Sequence, residues 1–180
     1  MIFYQQLLKS AKHTGAIAPS SPFLARKICS VADIPQAKTI LELGPGTGAI
    51  TKELLKHVHA PGSLFTVEIN REFIKHLQKK YPQAAHLHAD IKSLGLIRKE
   101  HQIPPADLIV SGIPFADFNK EECSLMLQEI SEAMHPKSKF ILFTYSPIRF
   151  KTFFQWFEKI SLHYVPLNLP PAYVLVLGKK

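Results

Sequence analysis

Apolar positions along the chain change period several times, and each change predicts an element. Ile2, Phe3, Leu7, Leu8 and Ala11 fall near one face of a helix, with Gln5, Gln6, Lys9, Lys12 and His13 elsewhere, the spacing of an amphipathic helix. The stretch from Thr14 to Pro22 breaks it. A second helix is predicted from about Pro22 to Ala32, with Ser21 as its N-cap and proline at its first position. Strand and helix patterns then alternate. Lys38 to Leu43 predicts a strand, Ala49 to Val58 a helix, Leu64 to Ile69 a strand, Glu72 to Lys80 a helix, and a short strand ends near His88. Asp107 to Ser111 predicts another strand and Lys120 to Met134 a helix, with Cys123, Met126, Leu127, Ile130 and Met134 on one face. Asn119 can cap that helix, and Glu121 and Glu122 suit its positive end. Lys139 to Thr144 predicts a strand. Phe150, Phe153, Phe154, Phe157 and Ile160 recur at helical spacing. Leu162 to Leu167 and Tyr173 to Leu177 predict two closing strands with no helix between them, hence an antiparallel pair. This alternation implies a doubly wound α/β fold, its mostly parallel sheet covered on both faces. Residues 1–33 are read as an amphipathic helix and lid segment, and 34–180 as the α/β domain.

Composition narrows the function classes. A chain of 180 residues with 46% apolar side chains fits one domain with a real core and excludes a disordered chain. Its two cysteines, Cys29 and Cys123, form no CxxC or zinc-like spacing. The expectation is two buried thiols in a reducing compartment. His86 and His88 share a strand face, and His57 and His59 lie near a helix end. Neither pair has carboxylate or thiolate partners at ligand spacing, so no metal is expected. Lys plus Arg outnumber Asp plus Glu by 22 to 14, a net +8, which points to an anionic partner, either nucleic acid or a membrane surface. No apolar run approaches the roughly 20 residues that span a bilayer. Met1 to Ala18 lacks the pattern of a signal peptide. A cytoplasmic protein is expected.

The densest chemical signal is Glu42-Leu43-Gly44-Pro45-Gly46-Thr47-Gly48, between a predicted strand and a predicted helix. Glycines let the backbone turn tightly and a ligand lie against it. Backbone N–H groups at the helix start then face that ligand. Gly44-x-Gly46-x-x-Ala49 also satisfies the dinucleotide fingerprint. Three features resemble class I methyltransferases instead. Glu42 precedes the first glycine by two places, where those enzymes face the cationic end of S-adenosylmethionine. Gly48 stands at methyltransferase spacing. Asp90 ends the third strand region. The resemblance implies a seven-stranded Rossmann-like, three-layer α/β/α domain. Glu68, in Val67-Glu68-Ile69-Asn70, would accept the ribose hydroxyls. Ala89, Asp90 and Ile91 would hold the adenine, and S-adenosylhomocysteine would be the product.

The segment after the fourth strand reads Val110-Ser111-Gly112-Ile113-Pro114-Phe115. Adenine N-methyltransferases carry Asn or Asp at the Ser111 position, then proline and an aromatic that stacks on the flipped base. Pro114 and Phe115 are kept, whereas Ser111 is a weaker acceptor. The chain resembles the bacterial phospholipid N-methyltransferases, whose sequences are similar to rRNA adenine dimethylases. The resemblance is carried by Gly15 to Ser21, Leu41 to Gly48, Val67 to Asn70, Ser111 to Pro114, Phe143 to Tyr145 and Leu167 to Ala172. It implies methylation of phosphatidylethanolamine toward phosphatidylcholine at the inner face of the membrane, with the first helix docking on anionic lipid. Tyr145 and Ser111 are the candidate catalytic residues. Ile113, Pro114, Phe115 and Arg149 are candidates on the acceptor side, and Arg149 could meet a lipid phosphate. Tyr145, Phe115, Phe118 and Tyr173 could hold a methylated ammonium by cation–π contact. Tyr145, Asp117 and His13 are candidate proton acceptors. The alternatives are an RNA or small-molecule methyltransferase, which keeps nucleic acid as a possible partner, and a protein that binds cofactor or membrane without turnover.

Overall fold

The computed structural model describes residues 21–58 and 63–180. The predicted helix over the first twelve residues, and His13 with it, lies outside the described residues. The first described helix, α1 (Pro22–Ser30), has Ser21 as its N-cap, its hydroxyl accepting from Leu24 N–H at 3.2 Å, and proline in its first turn. It stops two residues before the expected end.

The strands are β1 (Ile40–Leu43), β2 (Leu64–Glu68), β3 (Ala85–His88), β4 (Ala106–Ser111), β5 (Met134–Thr144), β6 (Phe157–Val165) and β7 (Ala172–Lys179). The remaining helices are α2 (Ala49–Leu54), α3 (Arg71–Lys80), α4 (Leu94–Glu100), α5 (Lys120–Ala133) and α6 (Phe150–Trp156). They build one seven-stranded sheet in the order β3-β2-β1-β4-β5-β7-β6. β1 to β5 run parallel, and β7 is antiparallel to both β5 and β6. Sheet order reverses beside β1, and ligands bind beyond the strand carboxyl ends at such a switch point.

Period-two alternation sorts the core into two layers. Leu41, Leu43, Ile109, Phe140 and Leu142 pack under α4, α5 and α6. Ile40, Leu108, Val110 and Ile141 pack under α1 and α2. α5 buries Cys123, Met126, Leu127, Ile130 and Ala133, and Asn119 caps it by accepting from Glu122 N–H at 2.8 Å. Each large apolar side chain buried there is worth roughly 1.5–3 kcal/mol.

Further boundaries differ from expectation. α2 ends at Leu54, not near Val58. β5 begins at Met134, ahead of Lys139, because the Ser138 hydroxyl bonds Ala106 O at 2.6 Å and accepts from His135 N–H, stitching a bulge onto β4. Phe157 and Ile160 belong to β6 rather than to a helix. Phe157 is buried against Phe140, with ring centroids 5.1 Å apart, so a strand residue happens to continue the helical spacing of α6. Leu167 lies in the loop after β6, and that strand starts five residues earlier than expected. α4 was not expected; only Leu94 and Ile97 are buried on its seven residues, too few to declare a period.

Candidate active site

The carboxyl ends of β1, β2 and β4 and the turn after β3 surround one cleft, lined by Gly44, Glu68, Asp90, Ile113, Phe118 and Met126 among others. The glycine loop leaves β1 with positive φ at Gly44 (68°), Gly46 (56°) and Gly48 (83°), a region glycine enters freely. A Cβ on Gly48 would lie 2.5 Å from the Tyr81 ring, so that glycine lets α3 and its following residue close on the loop. A Cβ on Gly46 would meet nothing within 4 Å, so its outer side is open. Pro45 O accepts from Gly48 N–H at 2.9 Å and shapes the turn, and Thr47 is exposed at its tip.

Two carboxylates flank this loop. Glu42 is fully buried at the end of β1, and its Oε2 accepts from the Thr51 hydroxyl on α2 at 2.7 Å. Its Oε1 has no hydrogen-bond partner among the described residues. Burial raises its carboxyl from 4.5 to about 7, with the Thr51 bonds opposing. Glu68 ends β2 and is also buried; its Oε2 accepts from Gly46 N–H at 3.1 Å and its Oε1 from Asn70 N–H at 2.9 Å. Burial pushes this carboxyl up as well, and those backbone donors pull it back. Each oxygen keeps a lone pair for a further donor.

The strand ends beyond are held by local bonds. Ile69 O is bound by His88 Nε2 at 3.0 Å, and Ala89 N–H donates to Glu68 O at 3.0 Å. Asp90 Oδ1 accepts from Lys92 N–H at 2.9 Å, capping a short turn that seats buried Ile91 against the cleft. Lys92 pairs with Glu122 at 2.9 Å across the wall. His86 bonds Thr66 Oγ1 and Tyr81 O, both at 2.8 Å, so both ring nitrogens are engaged in the fold.

The acceptor side is assembled differently. Ser111 is fully buried, and its hydroxyl accepts from Ile113 N–H at 3.2 Å, shaping the turn off β4. Gly112 lies so close to the glycine loop that a Cβ there would sit 2.6 Å from Gly44 O. Pro114 O accepts from Asp117 N–H, and burial raises the Asp117 carboxyl. The Phe115 ring packs edge-on against Phe153 at 5.5 Å and is 3% exposed. Phe118, three residues on, lines the cleft instead. Arg149 donates to Phe118 O at 2.7 Å and ties the β4 loop to the β5 loop. Tyr145, at the end of β5, is 44% exposed; burial of its hydroxyl raises its pKa, partly offset by Asn168 beside it.

Asn168 is a residue the sequence reading did not single out. It is 3% exposed, accepts from Ser21 N–H at 3.2 Å and donates to Pro170 O at 2.7 Å. It joins the entry of α1, the end of β5 and the loop before β7. It lies within the Leu167 to Ala172 motif that carries the resemblance, where no role was assigned to it.

A buried unpartnered acceptor beside the glycine loop fits a ligand with a cationic end. A second carboxylate at the next strand end fits a diol, and a cleft walled by Ile91, Ile113 and Met126 fits a flat ring. S-adenosylmethionine has all three parts.

A family model described as a methyltransferase domain matches residues 40–137. An ornithine lipid N-methyltransferase from Singulisphaera acidiphila is 30% identical over 177 residues, which cover 95% of this chain and 91% of that enzyme. A ribosomal RNA small subunit methyltransferase A from Rippkaea orientalis is 30% identical over 122 residues, 64% of this chain and 43% of the relative. The chain therefore matches less than half the length of that RNA enzyme. Among solved structures, a TehB-like SAM-dependent methyltransferase from Corynebacterium glutamicum superposes with a TM-score of 0.66 at 21% identity, covering 98% of this chain and 96% of that one. N-methyltransferase NodS from Bradyrhizobium japonicum, solved with S-adenosyl-l-homocysteine, gives 0.68 at 11% identity and 88% of both chains. At such identities these two speak for the fold.

Proposed function

This chain belongs to the family of S-adenosylmethionine-dependent class I methyltransferases, and from that premise we propose that it methylates the amine of a lipid headgroup at a membrane surface. Phosphatidylethanolamine or its methylated forms are the proposed substrates. The observation that carries this reading is the similarity to a lipid N-methyltransferase along nearly the full length of both chains.

When bound, S-adenosylmethionine supplies an electrophilic methyl carbon on a sulfonium, a leaving group that needs no acid. Positioning is then the main task of the protein. Glu42 Oε1 would meet the cationic amino-acid end, with Gly44, Pro45, Gly46, Thr47 and Gly48 forming the backbone cradle. Glu68 would hold the ribose hydroxyls, and Ile69, Ala89, Asp90 and Ile91 would seat the adenine. Ser111 acts as a positioning residue through the turn that presents Ile113 and Pro114. Tyr145 orients the amine from the end of β5. Its raised pKa keeps the phenol protonated, so its oxygen accepts from the amine and its proton stays in place. Asp117, whose carboxyl is pushed up by burial, is the proposed group to take a proton. Arg149 keeps donors for a lipid phosphate beyond the one given to Phe118 O.

The test is methyl transfer from radiolabelled S-adenosylmethionine to anionic vesicles with and without phosphatidylethanolamine. Label in the lipid phase only when the amine lipid is present is the expected result. No lipid label from protein that binds the cofactor would discard the reading.

An RNA adenine methyltransferase is the second reading, favoured by the net charge of +8 and by the rRNA methyltransferase relatives. The Phe115 ring argues against it. That ring is buried against Phe153 and offers no face to a flipped base.

A further inference from the structure

The sheet edge at the end of β5, tied through Arg149 to the cleft residue Phe118, carries an apolar rim that the cofactor site does not use. Leu169 (85% exposed) and Ile148 (78%) are the two most exposed large apolar side chains among the described residues, with Leu167 (67%) and Phe23 (50%) beside them. All four lie on segments that Asn168 ties together. Leu167 and Leu169 flank it in the chain, Phe23 follows Ser21, whose N–H it binds, and Ile148 follows Tyr145, which it touches. Asn168 is buried and its amide is bonded within the turn, while its two neighbours stay exposed. Pro166, Pro170 and Pro171 stiffen the loop, so little chain entropy is lost when those leucines are held by a partner.

The segments that bear the rim are basic, although the exposed Asp117 stands on the turn packed against that of Ile148. Residues 21–31, 145–155 and 161–173 contain no Asp or Glu, yet carry Arg26, Lys27, Arg149 and Lys151. Arg26 is engaged with Glu53 and Arg149 with Phe118 O. Lys27 and Lys151 flank the apolar tips. Exposed leucines ringed by basic residues match the two layers of an anionic bilayer interface, acyl chains beneath acidic headgroups.

We propose that the Phe23, Ile148, Leu167 and Leu169 rim enters the bilayer interface and seats the cleft mouth directly on anionic lipid. This deepens the lipid reading above, but its test uses no methyl donor, so either can fail alone. The double variant Ile148→Ser/Leu169→Ser removes exposed side chains only. Its melting temperature and S-adenosylmethionine affinity should stay at the wild-type values. Its partitioning onto phosphatidylglycerol–phosphatidylethanolamine vesicles should fall by roughly tenfold or more. Leu169→Trp in a Trp156→Phe background should be quenched by lipids brominated on their acyl chains. Unchanged partitioning and an unquenched tryptophan would overturn the proposal. So would a double variant that loses RNA retention, or changes its oligomeric state, while keeping its vesicle binding. A rim that inserts while no amine lipid takes label would uphold the docking surface and remove the lipid-substrate reading.

Discussion

The two halves of the sheet edge are built by opposite rules. From β1 to β3, the strand ends carry their polar groups in chain order: Glu42, then Glu68, then Asp90, each bonded to a group within ten positions, with one longer bond from Glu68 back to Gly46. From β4 to β7, the edge is made by bonds between distant segments. Arg149 reaches Phe118, and Asn168 reaches Ser21 across 147 positions. A binding site for a constant ligand can be encoded locally. A site for a variable acceptor is assembled from loops that must meet in space.

Variants of the first half should strike cofactor binding, and variants of the second should spare it. The largest effect is expected from Gly46→Val. No neighbour blocks the side chain, so the fold loses little beyond the strain of a branched residue at φ 56°. Cofactor affinity, read by calorimetry, should fall by about 1,000-fold, since the side chain occupies the open side of the loop. Tight binding by this variant would remove the contrast at its root.

Glu42→Gln comes next. The Glu42 carboxyl titrates at about 7 when folded and at 4.5 as a free side chain. Below pH 4.5 it is protonated in both states. Between 4.5 and about 7 unfolding lets it ionise, so stability falls as pH rises. Above 7 the burial penalty is constant at roughly 3 kcal/mol. Ligand-free protein should therefore melt higher at pH 5 than at pH 8 through this group, and Glu42→Gln should melt higher at pH 8 while binding cofactor more weakly. A variant that leaves melting temperatures unchanged at both pH values would show that Glu42 is not held out of water.

Gly112→Ala tests the seam between the halves. Its Cβ would press on Gly44 O at 2.6 Å, so one loop must move. We expect about 1–3 kcal/mol of lost stability, with a weaker cofactor complex despite the residue's place in the acceptor half. Urea unfolding and calorimetry read the two effects. The smallest effect on the cofactor belongs to Asn168→Ala. Losing its bonds should cost about 1–2 kcal/mol in stability and slow lipid methylation about tenfold, with cofactor affinity unchanged. A parallel loss of cofactor affinity would erase the distinction between the halves.

The same contrast explains what was legible in the sequence. The Glu42 to Gly48 run, Glu68 and Asp90 could be placed because spacing along alternating strands fixes which edge they reach. Ser21 and Asn119 were legible as caps because capping is local. Phe115 and Phe118 could not be told apart, since which ring turns inward depends on Phe153, 38 residues away. Asn168 stood inside the Leu167 to Ala172 motif, but its role was hidden for the same reason, since its partners Ser21 and Tyr145 are distant in sequence. The sequence also misplaced Phe157 and Ile160, because a buried strand residue after a short aromatic helix keeps the helical period by coincidence.

The bond from Ser21 to Asn168 also sets an order of events during synthesis. A ribosome delivers α1 well before the loop that precedes β7. Until residue 168 emerges, Ser21 N–H lacks this partner and Phe23 has no neighbouring leucines. The strand ends that carry Glu42, Glu68 and Asp90 are made long before. A growing chain would thus acquire its donor-binding residues first and the apolar rim around Asn168 only after that loop has emerged.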